Sequence, residues 1–491
     1  MTSSCRLLVI ADVGGKERRH IGDEAMLEAN LDGFRRLIPE VAFTVVSRDP
    51  AWTASRYGVD AVALLGFPLD TSAGAEREAI LDRFLADATS HGPGNATIDA
   101  VARADCLVVS GGGNLSSTWP DLVYERAALI HLGGIFGKPV VVLGQTIGPR
   151  LARDERRLLA ETLSAARLVG VRDLPSAALA RGLGVPPERI WYQCDDALFL
   201  DGVPESVRHL DRSGAPVIAV TIDPQVRASG EAVFGSVVGQ LRELSETTRA
   251  PLFLIPHAFG RESAAAPSDL TEARVLAERL GLPHTVIAEG LDAGQARQVT
   301  GDAALVISSR YHPIVFGLAA GIPSIGIYGD EYCRIKLQGA LAHARLERWT
   351  LTYDDVARGE LLTTAIELWH IRGVVRRELE SRREAWREEY CQRWDAVLRA
   401  LDPAKTFPPG GASTMFGRPT REVAPALVSA LEAQRLAWEW ERASFERLTA
   451  RCDQAQSRVR WLEDEMGLRR TIRRYASALR WKLRRIGLRQ Q

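Results

Sequence analysis

The sequence has few cysteines and no long apolar segment, and each absence excludes a class of protein. Its six cysteines are scattered without a C-x-x-C pair, which argues against a disulfide framework or a zinc-type cluster and favours reduced thiols in a cytoplasm. No stretch approaches the ~20 consecutive apolar residues of a transmembrane helix, and the apolar run 7–11 is too short for a signal peptide. We therefore expect a cytoplasmic protein that does not span a membrane.

The sequence also lacks net charge, with 62 Lys and Arg against 62 Asp and Glu. This balance predicts neither nucleic-acid binding nor a strongly acidic substrate. The average conceals an asymmetry, because residues 468–491 carry nine Arg or Lys and no acidic residue. The remainder of the chain is therefore acidic by the same nine charges.

The order of strand-like and helix-like segments indicates the fold class. At 491 residues the chain is too long for one core, so we expect two domains of ordinary size plus additional segments. Short β-branched runs alternate with helical stretches, which is typical of parallel sheets covered by crossover helices. The predicted strands are 7–11, 43–47, 106–110, 140–144 and 168–171, followed by 217–222, 252–256, 285–287, 305–308 and 324–328. These two sets predict an α/β protein with two Rossmann-like, doubly wound domains that face a cleft.

The domain organisation is predicted from composition. The segments are an N-terminal domain (1–205), a C-terminal domain with closing helices (206–401), a linker rich in Pro, Gly, Ser and Thr (402–424), a helical or coiled-coil segment (425–466) and a basic amphipathic tail (467–491). Apolar residues between 445 and 466 recur at spacings of three and four. This spacing fits a short coiled coil, through which the protein would form a homo-oligomer or bind a helical partner, or a helix packed on the protein's own body.

The basic tail has apolar residues at helical spacing opposite most of its cations. Such a helix can lie in the interface of an anionic membrane, so we predict peripheral contact of residues 468–491 with the inner membrane face. Nucleic-acid contact and a simple solvated helix are the alternatives. Because the rest of the chain gives no sign of nucleic-acid binding, we do not predict a nucleic-acid partner.

Five polar or glycine-rich loops follow predicted strands, and ligands of open α/β sheets bind at the carboxyl ends of strands. Each loop can also be explained as a turn or a helix cap. Four of them are 20–25, 110–115, 144–149 and 171–176. Arg172, in the fourth, either binds an anion or pairs with Asp173.

The fifth loop, 308–313, is the most informative. Arg310 and His312 stand where a strand ends and a helix begins, so an anion there would gain both a guanidinium and the helix's N–H donors. A neutral core histidine is the alternative for His312. For His257, which follows another strand, a structural role is favoured over a catalytic one.

The motifs GDEAML, SGGGNL, GQTIGP, VRDLPS, CDDALFL and SSRYHPIVFGLAAGIPSIGIYGD together resemble the polysaccharide pyruvyl transferase family, in the same order from about residue 6 to about residue 341. The resemblance implies a fold like that of the double-Rossmann (GT-B) glycosyltransferases. It implies transfer of a pyruvyl group from phosphoenolpyruvate to a sugar of a cell-surface polysaccharide, such as an exopolysaccharide, or of its precursor. The products would be a pyruvate ketal and phosphate, phosphoenolpyruvate would be a donor substrate and not a bound cofactor, and the saccharide acceptor would be free or lipid-linked.

The same resemblance implies roles for individual residues. His312 matches the family's general acid/base, Arg310 belongs to its Arg-x-His motif, and Arg172 would join Arg310 in holding the donor's phosphate and carboxylate. Asp23 matches an acidic residue that touches an acceptor hydroxyl, and we assign it a catalytic role beside His312. Further predicted substrate contacts are Gly112, Gly113, Asn114, Gln145 and Ser309.

Two departures from the family pattern leave questions open. His20 and Ile21 stand where the family often has Asn, which affects acceptor contacts. The segment after Tyr328 is longer than usual, so either Arg334 or Lys336 fills the family's basic position.

The residue types suit the implied chemistry. Histidine, with an ordinary pKa near ~6.5, can give and take protons, and two arginines can hold a donor with a carboxylate and a phosphate through paired hydrogen bonds. No cluster of histidine and carboxylate residues predicts a metal. The rival hypotheses are a nucleotide-sugar-dependent glycosyltransferase, for which no acidic residue is clearly placed to bind ribose, and a non-catalytic scaffold in glycan assembly, against which the retention of Arg310 and His312 argues.

Overall fold

The computed structural model describes residues 5–15, 19–70, 74–90, 94–200, 216–260 and 268–402, all within one compact unit, Met1–Ala424. The predicted coiled-coil segment (425–466) and basic tail (467–491) lie outside the described residues. So do residues 403–424 of the predicted linker and residues 201–215, which include the predicted boundary between the two domains at residue 205. The boundaries placed there stay predictions.

The N-terminal half forms a parallel α/β domain. Its elements are β1 (Arg6–Ile10), α1 (Ile21–Leu37), β2 (Ala42–Ser47), α2 (Pro50–Tyr57), β3 (Asp60–Ala63), α3 (Gly74–Ser90), α4 (Ala96–Arg103), β4 (Cys106–Val109), β5 (Gly112–Leu115), α5 (Pro120–Ile135), β6 (Val140–Ile147), α6 (Arg153–Ala165), β7 (Leu168–Val171), α7 (Leu174–Gly182) and β8 (Ile190–Tyr192). A short 3-10 helix, Asp196–Phe199, follows.

The second half repeats the plan. Its elements are β9 (Ile218–Thr221), α8 (Pro224–Ala228), α9 (Glu231–Thr248), β10 (Leu252–Leu254), α10 (Asp269–Leu280), β11 (Val286–Ile287), α11 (Ala293–Gly301), β12 (Leu305–Ser308), α12 (Tyr311–Ala320), β13 (Ser324–Tyr328), α13 (Glu331–Ala342), β14 (Thr350–Thr352), α14 (Tyr353–Ala357) and α15 (Glu360–Leu401). The two Rossmann-like domains expected from the sequence are therefore present.

The strand order of each sheet reverses at one point, which is where open α/β sheets bind ligands. The first sheet has the order β3-β2-β1-β4-β6-β7-β8, with β5 on β6, and the second has the order β11-β10-β9-β12-β13-β14. All described strand pairs are parallel, and the reversals lie between β1 and β4 and between β9 and β12. The loops that leave these four strands are thus expected to carry the functional site.

The strands are apolar because both faces of each sheet are covered by helices. β4, β6, β9 and β12 are buried at every position. One apolar cluster packs α3–α6 onto the first sheet, and another packs α1 and the end of α15 onto its other face. The carboxyl ends of the strands are thereby fixed by rigid layers on both sides.

Helix α15 joins the two domains. Leu361 and Ala365 near its start are buried, and its last turns bury Trp394, Val397 and Leu401 in the apolar cluster that covers the first sheet. Arg393 on the same turns is ion-paired with Asp196 and is almost completely buried, and its guanidinium lies over the rings of Tyr390 and Trp394, at 4.7 and 4.4 Å.

The sequence prediction missed four strands. Three of them, β3, β8 and β14, are short. The fourth, β5, was interpreted as part of a glycine loop, but it pairs with β6. Strand β6 also continues to Ile147, beyond its predicted end at residue 144. The errors at β5 and at the end of β6 have one cause: the glycine and polar residues there are buried against packed neighbours instead of facing solvent. Within the described ranges, no helix has the length and apolarity needed to cross a membrane.

Candidate active site

The loops at the two reversal points enclose one polar cavity of about 220 Å³. The first domain contributes Asp12 and Asp23 after β1, Gly113 and Asn114 in β5, and Arg172 after β7. The second contributes Asp223 after β9, His257 after β10, Ser309, Arg310 and His312 after β12, and Tyr332 and Lys336 on α13. The predicted residues Asp23, Gly113, Asn114, Arg172, Ser309, Arg310 and His312 are thus brought together.

Backbone contacts between the domains close one side of the cavity. His20 forms an isolated antiparallel bridge with Ala258, Ile21 N–H donates to His257 O at 3.0 Å, and Phe259 N–H donates to Arg19 O at 2.8 Å. The Tyr332 hydroxyl donates to Gly113 O at 2.7 Å from the other domain. His20 and Ile21, which depart from the family pattern, therefore hold the first loop against the second domain.

Gly22 allows the start of α1 to approach the imidazole of His312. A β-carbon at position 22 would lie 1.6 Å from Nδ1 of His312 and 2.1 Å from its Cγ, a distance that no pair of atoms tolerates without movement. The glycine of the Gly-Asp pair is thus explained by a close approach between the two domains and not only by a helix cap.

We expect Gly22→Ala to fold but to lose at least tenfold in turnover, because the imidazole must move to make room and small displacements at a reacting group are costly. The matched control is Gly239→Ala, where a β-carbon on the exposed face of α9 meets no atom within 4 Å. This control should keep full activity and gain slightly in thermal stability. Equal turnover of the two variants would contradict the proposed contact.

The imidazole of His312 is almost buried, with 14% of the side chain exposed. Its Nε2 has no hydrogen-bonding partner among the described residues and lies 3.9 Å from Oδ1 of Asp195. Burial lowers the pKa of His312 well below its ordinary value, and the cations Arg172 and Lys336 lower it further. In these surroundings the ring is therefore neutral at pH 7.

Asp195 connects His312 to Arg172. Its Oδ2 pairs with Nη1 of Arg172 at 2.6 Å, and both side chains are about fully buried. Arg172 also donates from Nε to Thr146 Oγ1 at 3.0 Å, and its guanidinium lies 4.3 Å from the ring centre of Tyr311. Arg172 pairs with Asp195 and not with Asp173, which caps α7 through Ser176 N–H.

Arg310 is held by the buried carboxylate of Asp269. Nε of Arg310 lies 3.1 Å from Oδ2 of Asp269, and Nη2 lies 2.6 Å from Oδ1. Asp269 also accepts the backbone N–H groups of His257 and Ala258, at 3.2 and 2.9 Å. Because Asp269 engages Nε and Nη2, Nη1 is the donor of Arg310 that is left for an anion in the cavity.

Lys336, and not Arg334, reaches the cavity from α13. Its Nζ lies 3.4 Å from the Tyr332 hydroxyl and 5.6 Å from the ring centre of Tyr311. A β-carbon on Gly113 would lie 3.3 Å from Nη2 of Arg172 and 3.5 Å from Nζ of Lys336, so these two cations flank the same glycine. Arg334 instead pairs with Glu331 and Gln338 on the surface of α13.

Asp23 lines the cavity beside these cations. Burial and then the Asp12 carboxylate raise its pKa, Lys336 and Arg172 oppose the increase, and the net pKa is about 7. Near neutral pH the carboxyl group is therefore divided between its acid and base forms, as a proton-transferring group should be.

Two predicted contacts, Gln145 and Gly112, lie behind the cavity wall and do not line it. Gln145 is fully buried and donates to Ser110 O at 2.5 Å, which fixes the start of the glycine segment. Ser309 does line the cavity, and its hydroxyl accepts from Asp223 N–H at 2.8 Å. The structure thus gives Gln145 and Ser309 supporting contacts within the walls, and direct contact of Gln145 or Gly112 with a substrate stays a prediction.

Several site residues were not singled out from the sequence. Asp195 stands in the quoted CDDALFL motif, and Asp12 is the second residue after β1, so an acidic residue soon after a buried strand was an available signal. Asp269, Tyr332 and Trp119 gave no such signal, because their positions relative to the cavity depend on the packing of separate loops. Over the described ranges, no group of three or more His, Cys, Asp or Glu residues is arranged to hold a metal ion.

The sequence matches the family described as polysaccharide pyruvyl transferase over residues 20–331, which includes every cavity residue named above except Asp12, Tyr332 and Lys336. The chain belongs to this family. Membership in the polysaccharide pyruvyl transferase family makes it a transferase connected with polysaccharide modification. No match was found among curated proteins.

Solved structures similar to this pyruvyl transferase family member are remote in sequence. A protein assigned as a UDP-N-acetylglucosamine 2-epimerase from Listeria monocytogenes is 11% identical, with a TM-score of 0.51 over 77% of this chain and 91% of that chain. The MnaA protein of S. aureus, solved with UDP, is 10% identical, with a TM-score of 0.51 over 77% and 91% of the two chains. At such low identity these similarities establish the fold, which is of the glycosyltransferase-B type, and not the substrate.

Proposed function

We propose that this family member transfers the pyruvyl group of phosphoenolpyruvate to a sugar, forms a pyruvate ketal and releases phosphate. The observation that carries the proposal is the position of His312, whose buried imidazole shares one cavity with the cations Arg172, Arg310 and Lys336. Such a cavity suits a small donor that carries both a carboxylate and a phosphate.

The three cations differ in how they are held. Asp195 and Asp269 fix the guanidinium groups of Arg172 and Arg310, so little side-chain freedom is lost when an anion binds. Lys336 has no carboxylate partner among the described residues. Its ammonium is a compact charge on a flexible side chain, which can adjust its position to contact a phosphate. We assign the donor's phosphate and carboxylate to these groups jointly.

The reaction needs two hydroxyl groups of the acceptor to attack C2 of the donor. One proton must reach the methylene carbon, which becomes a methyl group, and the other leaves with phosphate as the C2–O bond to phosphate breaks. Two C–O bonds form at C2 in place of the broken C2–O bond to phosphate and of the second bond of the carbon–carbon double bond, so atoms and charges balance without a further reactant. In this scheme Asp23 takes the proton of an attacking hydroxyl and His312 delivers one to the methylene carbon.

His312 must be protonated to act as the acid, yet its ring is neutral in its protein surroundings. A bound donor with up to three negative charges would raise the imidazole pKa, because opposite charges favour the protonated form. Asp195, at 3.9 Å from Nε2, would stabilise the resulting imidazolium. Donor binding would thereby favour protonation of His312, so the acid would form when the donor is in place.

The raised pKa of Asp23 predicts the pH dependence of the rate. If the carboxylate form is the base, kcat/KM should rise about tenfold per pH unit below pH 7 and level off above it, since the group ionises at about 7. Asp23→Asn should lose this acidic limb together with most of the activity, and Asp82→Asn, on the exposed side of α3, should leave the profile unchanged. An unaltered limb in Asp23→Asn would remove Asp23 from the proton transfer.

Calorimetry tests the donor directly. Phosphoenolpyruvate should bind the full-length protein, and UDP-N-acetylglucosamine should not. Lys336→Met should weaken phosphoenolpyruvate about tenfold or more, because one charge-assisted contact contributes about 1.5–3 kcal/mol. Arg334→Met, which removes a cation two residues before Lys336 that pairs with Glu331 on the surface of α13, should bind normally.

The opposite pattern would redirect the assignment. Binding of the nucleotide sugar without phosphoenolpyruvate would move the function to a glycosyltransferase of the same architecture. Binding of neither, together with no phosphate release on mixing phosphoenolpyruvate with glycans, would support a scaffold.

A further inference from the structure

One part of the cavity lining is not needed for the donor or for proton transfer. Beyond the cations and His312, the first domain contributes a group formed by Asp12, Asn114, Thr118, Trp119 and Leu122. These residues come from the loop after β1, from β5 and the loop that follows it, and from the start of α5. They combine a large aromatic side chain with groups that accept and donate hydrogen bonds.

Trp119 is a rigid, partly exposed aromatic surface. It is the residue before α5, its N–H donates to Ser116 O at 2.8 Å, and Pro120 occupies the first helical position. Of the sixteen residues in α5, thirteen are buried, so the indole is attached to a fixed element. A partly exposed tryptophan in a polar cavity offers a flat apolar face, which pyranose rings can cover with their C–H groups.

Asp12 and Asn114 supply the polar contacts beside this surface. Asn114 Nδ2 donates to Oδ2 of Asp12 at 2.9 Å, and Arg48 Nε lies 3.6 Å from Oδ1 of the same carboxylate. The carboxylate is therefore fixed in orientation, and carboxylate oxygens are acceptors suited to hydroxyl donors. The Asp12 carboxylate is also close enough to Asp23 to raise the pKa of the candidate base.

We propose that Trp119, Asp12 and Asn114 form the subsite that holds the acceptor sugar, and that this subsite selects an uncharged sugar ring. The proposal rests on the proposed function, because it places the acceptor next to the group that would deprotonate it. Asp12 is the one charged residue among these five, Asp23 lies near it, and the proposed donor occupies the neighbouring cations, so the carboxylate of a uronic acid would meet negative charge. A neutral sugar with two free hydroxyl groups fits both the lack of a positive charge in this group of residues and the ketal chemistry.

Saturation-transfer NMR on the full-length protein tests the subsite without knowledge of the natural glycan. The probes are methyl β-galactoside, methyl β-glucoside, methyl α-mannoside and methyl β-glucuronide at millimolar concentration. With millimolar inorganic phosphate in the buffer to occupy the cations, we expect transfer to the ring protons of at least one neutral glycoside and at least threefold less to the glucuronide. Trp119→Ala should remove the transfer, and Trp119→Phe, which keeps an aromatic face, should restore most of it.

Calorimetry with phosphoenolpyruvate separates this proposal from the donor assignment. Trp119→Ala should bind phosphoenolpyruvate as the unaltered protein does, because no cation is changed. If glycosides bind in a Trp119-dependent manner and phosphoenolpyruvate does not bind at all, the subsite stands and the donor assignment fails. Transfer that is absent for all four glycosides, undiminished in Trp119→Ala, or equally strong for the glucuronide overturns the subsite.

Discussion

His312→Ala should lower turnover by about 10²–10⁴-fold and leave phosphoenolpyruvate affinity nearly unchanged, because the imidazole moves protons and the cations hold the donor. The measurement is phosphate released per folded enzyme, together with a melting curve. The structure supports a separable effect: Nε2 of His312 makes no hydrogen bond within the described residues, so its removal breaks none.

The control for this variant is His284→Ala, since His284 is exposed and does not line the cavity. It should retain full activity. If His312→Ala instead melts at a lower temperature and its folded fraction keeps working, His312 is a structural residue. The centre of the mechanism would then be lost.

Arg310→Ala should weaken phosphoenolpyruvate by about 10–150-fold, the range expected from loss of one charge-assisted contact. It should also destabilise the fold by about 1–3 kcal/mol, because Asp269 is fully buried and would lose its ion-pair partner, although Arg310 itself is 36% exposed. Affinity and stability are thus altered together in this single variant, and a second substitution is needed to separate them.

The double variant Arg310→Ala, Asp269→Asn provides that separation. An asparagine oxygen can still accept the N–H groups of His257 and Ala258, and no buried charge is left unpaired. We expect the melting temperature to recover most of its loss while donor affinity, measured by calorimetry, stays weak. Recovery of affinity together with stability would show that Arg310 acts only through the fold.

The sequence was sufficient to predict the two domains because buried parallel strands have a strong local signal. Runs such as 106–110 and 305–308 are apolar on both faces and end at small or polar residues, and both proved to be strands beside a reversal point. β5 was missed because its glycines carry no strand signal, and they are accommodated by pairing with β6. Such pairing depends on the neighbouring strand and not on the glycines themselves.

Individual site residues could be predicted from the sequence where they directly follow a predicted strand. Arg172, Arg310 and His312 all occupy such positions, and the structure brings them to one cavity. Their partners Asp195 and Asp269 were not predicted as site residues, because these pairings span 23 and 41 positions of the chain. The choice between Arg334 and Lys336 depended on the rotation of α13, which sequence spacing alone does not determine.

Asp195 and Asp196 are adjacent in the chain but serve different parts of the molecule. Asp195 holds Arg172 in the cavity, and Asp196 pairs with Arg393 near the end of α15. A single peptide bond thus separates the anchor of the long helix from the anchor of a candidate donor-binding arginine. We therefore expect a substitution of Arg393, which does not line the cavity, to disturb the position of Asp195 through Asp196 and so to lower the rate of the reaction from a distance.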